Sequence, residues 1–396
     1  MLRLAPVCID QVYKKRNNSM AKQRISITDI VIGAPLPWDV YDADNKLLLR
    51  RNFVIRDASQ IEALVQRGLF VGGNTSGSDH AEHKLIVDKP SALRLINQAN
   101  KRLGRLLYNM LNETDFEAKI MEVAAVLKTA VKISENVALA TIMLNRAANP
   151  YSVRHCIDVA IVSLLISRSL NVPETEIDSV MAAALTMNVA MLRHQEQLQA
   201  KVGALTDEEK AIIRGHPQLG MHLLKQAGVG SEDWLMHVLM HHENETGSGY
   251  PLGQAGTKIP LGTKTIAVAD RYCAQVSPRA YRKAMLPNAA LRSILIDEKD
   301  HLDRAFAGAV ILALGTYPPG AFVKLENGET AVVSRKGEAT TTPIVHSLLG
   351  PRDTPLAYPI QRDTSLRSYA IRDLILESKA ALHVSMQQLW GDEASL

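Results

Sequence analysis

Apolar positions recur at helical steps from about Ser91 to Ala313, and on either side of that stretch the period shortens to that of strands and turns. Ile96, Ala99, Leu103, Leu106 and Met110 alternate steps of three and four, a heptad-like stripe that either packs on a neighbouring helix or forms a dimer seam. A second stripe at Ile120, Val123, Leu127 and Val131 predicts a helical hairpin packed on the first. Before this stretch, residues 25–27 and 30–32 are short strand-like runs, and Pro35 and Pro37 exclude helix. Residues 38–41, 42–46 and 47–49 read as strand, Asp/Asn-rich turn and strand. Asp57 or Ser59 caps a short expected helix over 60–66, stopped by Gly68, and 72–79 (GGNTSGSD) is a linker by composition. After Leu314, Tyr317-Pro318-Pro319-Gly320 breaks the helix. Two strands around Asn327-Gly328 predict a β-hairpin, with another strand over 343–347 and a closing amphipathic helix over 371–389.

The expected fold is therefore mainly α: a helical bundle with a small N-terminal β-rich unit and a small C-terminal β-hairpin and helix extension. Its divisions are a tail (1–23), the β-rich unit (24–72), a linker (73–90), the helical hairpin (91–146), the main helical domain (147–314) and the C-terminal extension (315–396). Met20 stands just before the first patterned segment, so either Met1 or Met20 can be the start.

Composition narrows the function. The chain has 396 residues, 46% hydrophobic and 22% charged, with a net charge of +4, which demands no polyanionic partner. No Lys/Arg stripe interleaved with aromatics is present, so a nucleic-acid polymer is not expected. Cys8, Cys156 and Cys273 are scattered, which points to a reducing compartment and no disulfide framework. No apolar run reaches the roughly 18–20 residues of a membrane helix, and residues 1–20 lack the order of a signal peptide. A cytoplasmic protein is expected.

The candidate chemistry lies between His155 and Arg282. Twelve histidines are present. His155 falls early on a helix; His216 precedes Pro217 on a helix begun by Thr206 as cap, with Glu209 as capping-box partner. His241 and His242 end another helix, and Asp270 follows the apolar stretch Thr265-Ile266-Ala267-Val268-Ala269. Singly, each has a plain structural explanation. Jointly, imidazoles and a carboxylate on successive helices can converge in a bundle core as a metal site.

Over roughly 144–314 the chain resembles the HD-GYP family, a branch of the HD metal phosphohydrolases. The run His241-His242-Glu243-Asn244-Glu245-Thr246-Gly247-Ser248-Gly249-Tyr250-Pro251 carries that resemblance, with Val268-Ala269-Asp270, Pro278-Arg279-Ala280-Tyr281-Arg282, and Leu205 through Pro217. Gly33-Ala34-Pro35-Leu36-Pro37-Trp38 resembles accessory segments of some members. The resemblance implies an HD-type bundle, with His155, His216, His241, His242 and Asp270 as metal ligands. It implies that Arg279 and Arg282 hold phosphate oxygens of cyclic-di-GMP, as guanidinium geometry suits. Gly249, Tyr250 and Pro251 would shape the substrate pocket and offer a surface to a signalling protein. The implied reaction is metal-dependent hydrolysis of the cyclic dinucleotide.

One segment departs from the family pattern. Where it has A-L-x-H-D-I-G-K, this chain has Ala184-Leu185-Thr186-Met187-Asn188-Val189-Ala190-Met191. Met187 offers a soft thioether in place of imidazole. Asn188 is neutral where a carboxylate would bridge two cations, and Met191 removes a lysine charge. Loss of the bridge would weaken a second metal by roughly several kcal/mol, and loss of one transition-state contact slows turnover by roughly 10²- to 10³-fold. His194 stands close by, but a surface position beside Gln195-Glu196-Gln197 is its simpler reading. The expected protein is a degenerate member of cyclic-di-GMP signalling that binds nucleotide or partner with weak or no hydrolysis, holding a single divalent metal (iron, manganese or zinc) or none. The alternatives are an active phosphodiesterase with an atypical metal site and an interaction scaffold that binds no nucleotide.

Overall fold

Helices fill the middle of the chain, where the period of three to four residues holds. The computed structural model describes residues 23–24, 36, 39–42, 47–50, 53, 55, 70–71, 89–145, 150–278, 283–297, 303–376 and 384–396. The runs at 25–27 and 30–32, the helix at 60–66, residues 1–22 of the tail, residues 73–88 of the linker and Arg279 to Arg282 lie outside these residues. The chain divides into two units, 1–87 and 88–396.

In the first unit, β1 (Gln23–Arg24), β2 (Val40–Tyr41), β3 (Leu47–Leu49) and β4 (Phe70–Val71) form an antiparallel sheet in the order β1-β4-β2-β3. Of the strand, turn and strand expected around residue 44, the two strands are β2 and β3, and residues 43–46 lie outside the described residues. Leu36, Val40 and Ile55 are buried beside them.

The second unit begins with α1 (Ala92–Tyr108), capped by Ser91, whose hydroxyl accepts from the Arg94 N–H. Its stripe packs on that of α2 (Phe116–Ile133), and Ile96, Ala99, Leu103, Ile120, Val123 and Leu127 are almost wholly buried. The stripe is thus used for packing inside the chain. Each of the Ile, Leu and Val side chains contributes about 1.5–3 kcal/mol through burial. The chain continues through α3 (Glu135–Leu144), α4 (Tyr151–Ser169) and α5 (Glu174–Thr186). A 3-10 turn at Val189–Met191 leads to α6 (Leu192–Ala200), α7 (Asp207–Gln226), α8 (Glu232–Met240) and α9 (Leu261–Val276). Then come α10 (Pro287–Arg292) and α11 (Arg304–Leu314). Helix α4 is apolar on nearly every face and is accordingly the central, buried helix, packed against α5, α9 and α11. Among the described residues, no helix is long and apolar enough to cross a membrane.

A five-stranded antiparallel sheet follows: β5 (Phe322–Leu325), β6 (Thr330–Arg335), β7 (Ile344–Leu349), β8 (Pro355–Asp363) and β9 (Ile371–Ile375), in the order β8-β7-β6-β5-β9. The Asn327-Gly328 hairpin is present, with Gly328 at φ +85°. Gly320 adopts φ +90° and lies so close to the Ala140 backbone that a side chain there would meet it at 3.0 Å, which brings the sheet onto α3. The closing helix expected from residue 371 is corrected at its start. Residues 371–375 form β9 and pair with β5, Lys324 opposite Asp373, because a vacant edge of the sheet offers backbone partners that outweigh local periodicity. Helix is restricted to α12 (Met386–Trp390), and 377–383 lie outside the described residues. The final residues return to the start of the unit: Ser91 Oγ donates to the Ser395 carbonyl at 2.6 Å, and Lys89 pairs with Asp392 at 2.7 Å. The fold is mainly α, with small antiparallel sheets toward both ends.

A candidate metal centre

His216 owes its orientation to its neighbour. Pro217 sits inside α7 and has no N–H, so the Ile213 carbonyl four residues back loses its helical partner. The Nδ1–H of His216 donates to that carbonyl at 2.6 Å. His241 uses the same device at a helix end. Helix α8 stops at Met240, which leaves the Val238 carbonyl among its unpaired last four, and His241 Nδ1–H donates to it at 2.7 Å. These bonds fix both tautomers and leave a lone pair on each Nε2. The two Nε2 atoms face each other at 3.1 Å.

His242 completes a cluster in which one ring nitrogen from each of the three histidines lies within 4.8 Å of the others. Its ring stacks on Tyr250, with centroids 4.7 Å apart. The loop carrying Tyr250 is pinned from below by Glu243, a residue the sequence reading left without a role. Its buried carboxylate accepts the N–H groups of Leu252, Gly253 and Gln254 at 2.6, 3.1 and 2.9 Å. In sequence it stands four residues before Gly247, a spacing that by itself does not indicate this role. Gly249 is required there, since a Cβ would lie 2.5 Å from the His242 carbonyl oxygen and 2.6 Å from Glu243 Cα. Pro251 continues the loop, and Leu252 is exposed.

The opposite side is built differently. His155 on α4 donates through Nε2 to Asp270 Oδ1 on α9 at 2.7 Å, and its Nδ1 faces the Tyr151 hydroxyl at 3.5 Å, one helical turn back. Burial, the largest single influence, would raise the Asp270 carboxyl, but the hydrogen bond and charge of His155, with the charges of His242 and His241, together outweigh it and hold the group below the usual carboxylate range. Asp158, one turn beyond His155, is pushed up to about 7 by burial, with only partial relief from Arg154. Met187 is wholly buried and Asn188 nearly so; Met191 is half-buried at the end of the 3-10 turn. His194 is exposed on α6 and takes no part in the cluster. The five residues expected as ligands thus separate into a triad (His216, His241, His242) and a pair (His155, Asp270).

The donor set fits a borderline divalent cation. Burial lowers the basicity of all three clustered imidazoles, bringing His216 to about 3 and His242 well below its usual value, so the cluster is neutral at pH 7. Two neutral nitrogens whose lone pairs converge at 3.1 Å repel each other unless a positive charge lies between them. Nitrogen donors at this spacing suit zinc, iron or manganese.

The cluster lies within a region that is similar to known proteins. A family model for the HD domain matches residues 143–306. The cyclic di-GMP phosphodiesterase PA4108 of Pseudomonas aeruginosa is 31% identical over 209 residues, covering 52% of this chain and 50% of its own. The cyclic di-GMP phosphodiesterase response regulator RpfG of Xanthomonas campestris is 34% identical over 132 residues, 32% of this chain and 34% of its own. The chain thus spans half or less of the length of these relatives. Among solved structures, Bd1817, an HDG"Y"P protein from Bdellovibrio bacteriovorus, matches with a TM-score of 0.44 at 14% identity, covering 73% of this chain and 98% of that one. Residues 143–306 thus match the HD-domain model, and over up to about half of its length the chain is similar to cyclic di-GMP phosphodiesterases.

Proposed function

We propose that this protein acts in cyclic-di-GMP signalling as a degenerate HD-GYP protein, which binds the nucleotide or a signalling partner with weak or no hydrolysis. The observation carrying this reading is the pair Met187 and Asn188, both buried at the end of α5 where the resemblance calls for an imidazole and a bridging carboxylate. Neither supplies the anion that would hold two cations together. His216, His241 and His242 would hold one divalent metal, which supplies Lewis-acid polarisation of a phosphate oxygen when bound. Tyr250, stacked on His242, would close one side of the pocket. Glu243 keeps that loop in place. Arg279 and Arg282 remain proposed phosphate contacts, on sequence alone. A reducing cytoplasm is the proposed compartment, in keeping with the free, buried thiols of Cys156 and Cys273.

Hydrolysis of cyclic-di-GMP by metal-replete protein, together with titration calorimetry, tests the reading. Binding with turnover below one event per hour supports it. Efficient turnover instead supports an active phosphodiesterase with an atypical site, a second reading favoured by the convergence of the three histidines. No binding at high micromolar nucleotide would leave an interaction scaffold, docked through the loop that exposes Leu252.

A further inference from the structure

We infer that Arg214 on α7 and the Tyr250 hydroxyl together clasp the second phosphodiester of a bound cyclic dinucleotide, at a subsite separate from the histidine cluster. This rests on the nucleotide-binding reading above and deepens it by naming described residues for the phosphate that the cluster leaves unmet.

The Tyr250 ring is locked in place. Its backbone N–H donates to the His242 carbonyl at 3.2 Å, and its ring lies on the His242 imidazole at an interplanar angle of 29°. Gly249, just before it, packs on the main chain of His242 and Glu243 with no room for a side chain. The hydroxyl at the far end of the ring makes no hydrogen bond with a described residue, so its one O–H is left for a ligand.

Arg214 stands two residues before His216 on α7 and is exposed. Its charge acts on the Tyr250 hydroxyl, which puts the guanidinium on the Tyr250 side of the helix. Other cations near it in the chain are already matched. Lys210, one turn earlier, pairs with Asp207 at 2.9 Å, and Lys201 pairs with Glu209 at 2.5 Å. Arg214 makes no ion pair or hydrogen bond with a described residue. A cation kept for solubility could stand on any exposed turn; this one stands unmatched beside a phenol that cannot move away.

A guanidinium fork beside a phenol O–H gathers donors around one positive charge, which the two free oxygens of a phosphodiester match. A cyclic dinucleotide has two such groups, one on each side of its macrocycle, each with one negative charge. A divalent ion on the histidines would meet the first. The second needs a cation of its own, and Arg214 supplies it in addition to the contacts proposed for Arg279 and Arg282.

The test uses the full chain, metal-replete, with cyclic-di-GMP. By titration calorimetry, Arg214→Gln is expected to weaken binding by about 10- to 100-fold, the span of a lost hydrogen bond to a charged group. Tyr250→Phe keeps the stack, drops the hydroxyl and should cost about 3- to 10-fold. Unfolding midpoints should stay where they are, because Arg214 is exposed and supports no neighbour. In phosphorus NMR of the bound nucleotide, Arg214→Gln should move one of the two signals and leave the other. If the nucleotide is turned over, the same ratios are read in KM. Weakened binding with both phosphorus signals unmoved would place Arg214 on a base and overturn the assignment. Nucleotide bound equally by wild type and Arg214→Gln overturns the clasp alone, whereas a wild type that binds no nucleotide overturns it together with the reading above.

Discussion

The two walls of the histidine cleft handle their polar groups in opposite ways. On the α7–α8 wall, each fixed imidazole takes a spare backbone carbonyl and keeps a lone pair turned inward. On the α4–α5–α9 wall, His155 and Asp270 satisfy each other, and Met187 and Asn188 bring no charge. One side turns ring nitrogens toward each other, and on the other His155 and Asp270 are already paired.

Rebuilding the α4–α5–α9 wall should give the largest effect. The combined change Met187→His, Asn188→Asp, Met191→Lys is expected to add a second metal equivalent and raise cyclic-di-GMP hydrolysis by roughly 10²- to 10³-fold. Unchanged turnover with metal in excess would show that the walls differ in more than these three side chains. On the α7–α8 wall, Gly249→Ala forces a methyl against the His242 and Glu243 backbone. It should cost about 1–3 kcal/mol of stability, read by denaturant unfolding, because the obstacle is main chain that cannot swing aside. A change under about 0.5 kcal/mol, the usual span for surface substitutions, would mean the loop is not held where Tyr250 meets His242. Glu243→Gln keeps one acceptor oxygen and should cost about 1 kcal/mol, with faster amide exchange at Leu252, Gly253 and Gln254.

The last effect is one of sign. His237 on α8 is buried against Thr263 and brought down to about 4 by burial. Between pH 4 and 6.5 the unfolded chain binds its proton and the native protein does not, so stability falls as the pH falls through that window. Asp158 on α4, raised to about 7 by burial, acts oppositely. Between pH 4 and 7 the native protein holds the proton and the unfolded chain does not, so stability falls as the pH rises. Asp158→Asn should therefore steepen the acid loss of stability in metal-free protein, and His237→Gln should flatten it. Unfolding midpoints from pH 4 to 7 decide both, and slopes changed in the reverse directions would refute the assignment.

Much of this was legible in the sequence because it is local. The stripes of α1 and α2 follow from helical spacing, the β5–β6 hairpin from Asn327-Gly328, and the triad from the His216-Pro217 and His241-His242 runs. What escaped depends on distant partners. Residues 371–375 look helical until β5 offers its edge, some fifty residues earlier. The closure of His155 on Asp270 joins positions 115 apart, and no spacing rule indicates whether two such groups will meet a metal or each other. Glu243 stood within a quoted run, but its task became visible only with three N–H groups around it.

The return of the last residues to Ser91 has a practical consequence. Where Ser91 and Ser395 share a hydrogen bond, the two ends of the 88–396 unit leave it at one point. A body whose entry and exit coincide can be grafted into a surface loop of a host protein, or its ends joined and new ones cut elsewhere, without stretching the chain. The helical unit is therefore a portable module, suited to a fluorescent-protein insertion that reports on what occupies the cleft.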